Sequence, residues 1–452
     1  MHAVRPFRQS INGRMNPLRI LRICQDVPYP PRDGASAEPY HLTRYLAQAG
    51  HEITLVGLQR EPADTSPLEL WCELHKIPFS GRNTLSGMAR GVLESFPINY
   101  VKYRDTRLLA TCLELLRQRS YDVVVVDLSA MGWHALQIKK HYKVPVITRW
   151  HNVDTLIWRR WAKSQRNPLK RAVGKYQVGL VRRFEQDLAM ASDLCLTMGA
   201  KDLALLRKLA PGAHVQLLPL GVDVDYYIPV SAGQEATSLL YLASGYRWHP
   251  NFDAAKWLHD EIMPRVWQRV PNAKLYLTGR DIRPEMGSWA ATGRVIFTGF
   301  VPDDRDLIAK ASALVVPMRL GGGIKLKALT AFAAGRAVVS TRAGAEGIQG
   351  LMDGDQLLIR DAPDQFADAV VEVLRNEPLR KRLESTGRAF VCQHYDWRVL
   401  AAQWEKVLAS VTKPGLAPEE ISAKCCNQQT SDRTRATEIA VCPRRDFTKS
   451  EQ

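Results

Sequence analysis

The chain of 452 residues has no run of about 18 apolar residues, which excludes a membrane-crossing helix. Residues 1–16 are basic and polar with no apolar stretch, so no secretory signal is read there. The eight cysteines include no Cys-x-x-Cys pair and no zinc-ligand spacing. That argues against a zinc module or a disulfide scaffold and fits a reducing cytoplasm. Acidic residues are scarce: 46 against 62 lysines and arginines, a formal net charge of +16. Such an excess implies an acidic partner. No RNA- or DNA-reading motif is visible, so no nucleic acid is expected, and an anionic membrane or a phosphorylated substrate remains. The shortage of acid is sharpest between Arg159 and Arg183, where nine basic residues meet no carboxylate. Trp158, Trp161, Leu169, Val173 and Tyr176 are interleaved with them. A basic helix of that kind suits the face of an anionic bilayer, which would place the protein on the inner face of the plasma membrane. The pattern equally suits a solvated helix whose apolar side packs on the body of the protein.

What is present is an ordinary globular composition, 46% hydrophobic and 24% charged, in a chain too long for one core. Apolar, β-rich runs alternate with helical segments. One series of strands is read at 19–24, 52–57, 122–127, 144–149, 193–197 and 215–219. A second is read at 238–243, 274–278, 294–298, 313–316, 337–341 and 356–359. The unbroken valines at 123–126 suit a strand buried on both faces. Such alternation predicts parallel sheets with right-handed crossovers. The expected organisation is an α/β chain with a disordered extension at 1–17 and a first domain at 18–222. A polar linker at 223–237, a second domain at 238–394, a helix at 395–411 and a disordered tail at 412–452 follow.

The most informative segment is the turn Gly321-Gly322-Gly323-Ile324-Lys325-Leu326-Lys327, between the apolar run 313–316 and a short helix. Three glycines remove the side chains that would keep a ligand off the backbone amides. The helix start and two lysines add positive charge at the same place, so the turn reads as a seat for a diphosphate. A second small-residue loop, Ala343 to Ile348 with Glu346 in it, follows the next strand. Two glycine loops at neighbouring strand ends mark the usual ligand crevice of an open α/β sheet. The same positional argument picks out His151 and Asp127 at strand ends of the first domain. It also picks out Gly34 in the loop after the first strand, where the backbone can approach an acceptor. In the second domain Gly245 and Arg247 follow the strand at 238–243.

These segments together resemble glycosyltransferase family 4, the GT-B "group 1" glycosyltransferases. The glycine turn with Leu329-Thr330-Ala331-Phe332-Ala333-Ala334-Gly335-Arg336 is similar to the family's donor motif. Trp150-His151-Asn152-Val153-Asp154 resembles its histidine motif, and Leu218-Pro219-Leu220-Gly221-Val222-Asp223 its inter-domain signature. The resemblance covers about residues 18–411. It implies the GT-B fold, two Rossmann-like parallel-sheet domains facing across a cleft, with the C-terminal helix crossing back to the first domain. It also implies a retaining hexosyltransferase that needs no cofactor and no metal of the Asp-x-Asp kind. The donor would be a nucleotide-diphospho-sugar and the acceptor a glycan or polyprenyl-linked hydroxyl, in cell-surface polysaccharide synthesis.

Carried over residue by residue, the resemblance makes Gly322, Gly323, Ile324, Lys325, Lys327, Thr330, Gly245 and Glu346 the donor-binding set. His151, Lys327 and Arg247 become the catalytic residues, and Gly34 and Asp127 the acceptor side. Two departures stand out. Arg247 is displaced by one residue from the family's arginine. Thr330 replaces the glutamate that accepts from the ribose hydroxyls, and losing a charged acceptor costs roughly 1.5–3 kcal/mol of donor binding. Two other readings therefore stay open: a catalytically impaired GT-B protein that binds a glycan or partner, and a GT-B sugar-nucleotide epimerase.

Overall fold

The computed structural model describes residues 16–31, 34–230, 233–321 and 323–412, and these lie in one compact unit. The expected extension and tail fall almost wholly outside the described residues, as does Gly322. Among the described residues the strands form two sheets, parallel throughout. The first has seven strands: β1 (Arg19–Cys24), β2 (Glu52–Gln59), β3 (Glu73–Pro78), β4 (Val123–Asp127), β5 (Val146–Trp150), β6 (Leu194–Thr197) and β7 (Val215–Leu217), in the order β3-β2-β1-β4-β5-β6-β7. The second has six: β8 (Ser238–Tyr241), β9 (Lys274–Thr278), β10 (Val295–Gly299), β11 (Ala313–Val316), β12 (Ala337–Ser340) and β13 (Leu358–Ile359), in the order β10-β9-β8-β11-β12-β13.

Each order reverses once, between β1 and β4 and between β8 and β11. Connections leave opposite ways at those points, so a crevice opens at the carboxyl ends of the strands. The fold is GT-B. β4 is buried along its whole length, as its four valines require. β3 lay outside the sequence reading: Glu-Leu-His-Lys-Ile-Pro is a half-exposed edge strand, which needs neither an apolar run nor a clean alternation.

The two halves are joined twice, and the crossings touch. Val222 N donates to Tyr395 O at 2.8 Å, and Val222 pairs with Asp396. The helix Trp397–Thr412 then lies on the first half, where Trp397, Leu400, Trp404 and Leu408 pack with Ile20, Val123, Ile147 and Leu220. Gly221 explains itself here. A Cβ on it would stand 2.8 Å from the Trp397 ring and from Leu400.

Residues 159–183 form two helices rather than one. The helix Asp154–Ser164 ends before Gln165, and Pro168 opens the helix Pro168–Ala191, capped by Asn167, whose side chain accepts from Leu169 N and Lys170 N. The two pack tightly where Gly174 leaves room for Ala162 and Trp161.

Candidate active site

Loops from both sheets enclose a cleft of about 1950 Å³. Pockets for one small ligand run to about 1,000 Å³, so there is room for two substrates. On the second half the walls are the loops after β8, β9, β11 and β12. Glycines let the backbone of these loops come close together. Gly279 has φ +123°, and a Cβ there would stand 2.8 Å from Ala243 O, so the loops after β8 and β9 are pressed together. Gly321 and Gly323 have φ +104° and +69°, in the region that favours glycine. Gly347, at φ +94°, packs against the Ile324 amide, which seats the second glycine loop on the first.

Lys325 stands at the N-cap of the helix Leu326–Ala333, buried, and its Nζ donates to Gly323 O at 3.1 Å. Lys327, the second residue of that helix, reaches the Tyr241 hydroxyl and Asn251 Oδ1, both at 3.3 Å, and lies over the Tyr241 ring. Burial, with the charge of Lys325 beside it, pulls the Lys327 pKa down to about 7. Among the described residues no carboxylate pairs with Lys327. Lys325 is lowered too, by burial, against the pull of Glu346 and Asp202. Two lysines desolvated side by side at a helix start make a site suited to an anion. Thr330 lines the same cleft and is 4% exposed. Glu346 lines it as well, with Oε1 accepting from Lys201 Nζ at 2.8 Å.

Other expected residues lie elsewhere. Arg247 points outward, its side chain 87% exposed, with Nε 3.3 Å from Asp281; it is not part of the cleft wall. Arg280, one residue past Gly279, does line the wall, as do Arg319 and Arg342, and it stacks 3.8 Å over the Phe300 ring. Gly245 pairs with Arg280 along the backbone behind that wall. Asp127 is 1% exposed and not an acceptor contact. Arg22 donates to both its oxygens, at 2.7 and 2.9 Å, and the Cys24 thiol donates at 3.1 Å. Arg22 also reaches Glu38, which Arg149 bonds in turn, closing a buried quartet of two cations and two anions. Burial works to raise the Glu38 pKa, but Arg22, Arg149 and His151 hold it below its usual value. His151 is therefore close to this quartet, while its neighbours Asn152 and Val153 line the cleft. Its carbonyl lies 3.7 Å from where a Cβ on Gly323 would stand, so the two halves meet here. Gly34 opens the helix Gly34–Ala49, and the preceding Arg32 and Asp33 lie outside the described residues.

Three Asp-x-Asp triplets occur, at 223–225, 304–306 and 353–355, and the protein engages each of them; the Asp304 carboxylate bonds the Tyr227 side chain. Asp223 accepts from the amides of Asp225 and Tyr226, and Asp353 pairs with Arg360. Among the described residues no group of three or more His, Cys, Asp or Glu is placed to hold a metal.

Residues 33–226 match the family described as Glycosyltransferase Family 4, and residues 238–376 match Glycosyl transferases group 1. The chain belongs to glycosyltransferase family 4. Among its relatives is the phosphatidyl-myo-inositol mannosyltransferase of Mycobacterium tuberculosis, 32% identical over 222 residues. That alignment takes in 46% of this chain and 57% of the relative, so the chain matches little more than half of that enzyme's length. Solved structures share the fold across the family 4 chain. Sucrose-phosphate synthase from Thermosynechococcus elongatus superposes with a TM-score of 0.65 at 16% identity, covering 86% of this chain and 98% of its own. HepE from Anabaena, solved with UDP and glucose, superposes with a TM-score of 0.61 at 13% identity, covering 87% and 100%.

Proposed function

We propose that the chain transfers a sugar from a nucleotide-diphospho-sugar to a hydroxyl of a glycan or lipid-linked acceptor, with retention at the anomeric carbon. The observation that carries this reading is the pair Lys325 and Lys327 at the glycine turn, at the switch point of the second sheet, with no carboxylate among the described residues paired to Lys327. The hard step is departure of the diphosphate. Its growing charge would be met by the turn amides, the helix N-terminus and the two lysines, all fixed before the donor arrives. The acceptor hydroxyl attacks from the same face, and the leaving phosphate takes its proton. That scheme asks for no enzyme nucleophile. Family membership and the UDP held by HepE support the donor class.

The acceptor proposal rests on the first half. Leu156, Ile157 and Arg160 of the helix Asp154–Ser164 line the cleft, while Arg159 and Lys163 of the same helix are exposed. One helix thus reaches from the basic surface to the cleft mouth, which suits an acceptor anchored in an anionic membrane and a role in cell-surface polysaccharide synthesis. The mannosyltransferase relative, named for a phospholipid, supports the lipid class.

The test is calorimetric titration with UDP, GDP and ADP, then turnover of the matching sugar nucleotides. Binding of at least one diphosphate, lost in a Lys325→Ala, Lys327→Ala double variant that stays folded, is expected. Equal affinity in the double variant overturns the seat. Binding without turnover would favour the impaired reading raised by Thr330.

A further inference from the structure

Lys201 lies in the first turn of the helix Ala200–Leu209, just past the carboxyl end of β6, on the first half of the molecule. Its ammonium crosses the cleft to Glu346 on the second half, at 2.8 Å, and both residues line the space between. Glu346 precedes Gly347, whose Cα rests on Gly323 and the Ile324 amide. The pair therefore stands beside the turn that carries Lys325. The surrounding charges agree: Lys325 is attracted by Glu346 and Asp202 and repelled by Lys201. Asp202 is committed elsewhere, accepting from Val153 N at 3.1 Å and so fixing the 151–153 loop. Cations from both halves thus gather around one carboxylate. The side chains of Lys201 and Glu346 are 48% and 34% exposed, so water screens their attraction and the pair can be exchanged.

We propose that Lys201 is a further ligand of the donor diphosphate, supplied by the first half, and that the Glu346 carboxylate occupies the anion's place until the donor displaces it. This rests on the diphosphate seat argued above. A diphosphate brings more charge and more acceptor oxygens than one screened carboxylate, so the exchange favours the donor. Because Lys201 and Lys325 sit on different halves, the incoming anion also links the two walls of the cleft. Glu346 then competes with the donor for Lys201, which is the opposite of a donor ligand.

Titration of UDP, GDP and ADP into the wild type, Lys201→Met, Lys201→Arg and Glu346→Gln, at low and high salt, tests this. Lys201→Met is expected to weaken the bound diphosphate about tenfold and flatten its salt dependence, with Lys201→Arg restoring both. Glu346→Gln is expected to tighten it several-fold. Weaker binding in Glu346→Gln would make that carboxylate a donor contact or a positioning group and overturn the proposal. So would unchanged affinity in Lys201→Met. If no diphosphate binds the wild type, or if the Lys325→Ala, Lys327→Ala variant binds normally, the seat itself fails and this inference with it. Circular dichroism of each variant separates loss of a ligand from loss of the fold.

Discussion

The Lys327 ammonium lies 3.3 Å from the Tyr241 hydroxyl and 3.3 Å from Asn251 Oδ1, over the Tyr241 ring, with the charge of Lys325 acting on it. Both partners are neutral, so nothing offsets the cost of desolvating the charge, and the pKa falls to about 7. A bound diphosphate supplies the missing counter-charge and raises it again. Binding above pH 7 must therefore take up a proton. Affinity for a nucleotide-diphospho-sugar, which has no ionisation of its own near neutrality, is expected to fall by up to about tenfold per pH unit above 7 and to level off below it. Titration in buffers of different ionisation enthalpy reads the proton directly. Uptake approaching one proton per site at pH 8, absent in Lys327→Met, is the expected result; pH-independent binding without uptake rejects it.

The same lysine should weaken the fold that carries it. Between about 7 and its ordinary 10.5, Lys327 is neutral in the folded protein and protonated in the unfolded chain. The unfolded state binds more protons there, so stability from this group rises with pH across that window, and its cost is fully present below 7. Lys327→Met keeps the length and removes the charge, while Tyr241 and Asn251 can still bond each other at 3.3 Å. The variant is expected to be more stable by about 1–3 kcal/mol at pH 6.5, with the advantage shrinking toward pH 10, although it loses the diphosphate. Urea unfolding at the two pH values measures it. A less stable variant at pH 6.5 would mean the ammonium has an anionic partner in the empty protein.

Gly221 under Trp397 gives a test of the double crossing. The 2.8 Å approach to both Trp397 and Leu400 leaves no space for a methyl group, and the atoms it would meet belong to a packed ring and a fully buried leucine. Gly221→Ala is expected to cost about 1–3 kcal/mol through overpacking. The helix Trp397–Thr412 should loosen first, visible as faster amide exchange there than in β4 or β11. Wild-type exchange in that helix would show that the contact yields without penalty.

Much of the fold was legible because parallel strands buried on both faces write themselves as apolar runs. β1, β9 and β11 fall at their expected bounds, and β4 differs by one residue. The glycine turn was legible because positive φ at Gly321 and Gly323 demands that residue type. Asp127 was misplaced because a strand end does not say which way a side chain turns. The signal that could have corrected it is Arg22, an arginine inside a buried strand, which needs a carboxylate beside it. Arg280 also had a signal, the Thr278-Gly279 strand end that it follows, whereas Arg247 was chosen by likeness and projects into solvent. Lys201 also follows a strand end, that of β6, but its partner is 145 residues away, and only the facing of two sheets brings them together.

The basic segment decides between a membrane face and a solvated helix, and the structure sharpens the question. Arg159, Arg160, Lys163, Arg166, Lys170, Arg171 and Lys175 are all exposed, and so are Leu169, Val173 and Tyr176, which follow one another along a single face of the helix Pro168–Ala191. Leu169 is 72% exposed at the very start of that helix. A solvated helix has no reason to present this apolar line, whereas an interfacial one inserts it among headgroups. Trp161, by contrast, packs partly against Gly174, so at a bilayer the apolar contact would come from the 169–176 line rather than the tryptophans. Each basic residue near an anionic surface contributes about 1 kcal/mol, and three or four in contact suffice to hold the protein there. Arg171 should be left alone in any variant, because it donates to the Gln165 carbonyl at 2.9 and 3.1 Å and ties the two helices together. Lys163→Glu, Lys170→Glu and Lys175→Glu combined are expected to abolish co-sedimentation with anionic vesicles. Leu169→Ser with Tyr176→Ser should reduce it while leaving its salt dependence in place. Equal binding to neutral and anionic vesicles, or undiminished binding by the charge-reversed protein, returns the segment to a solvated surface.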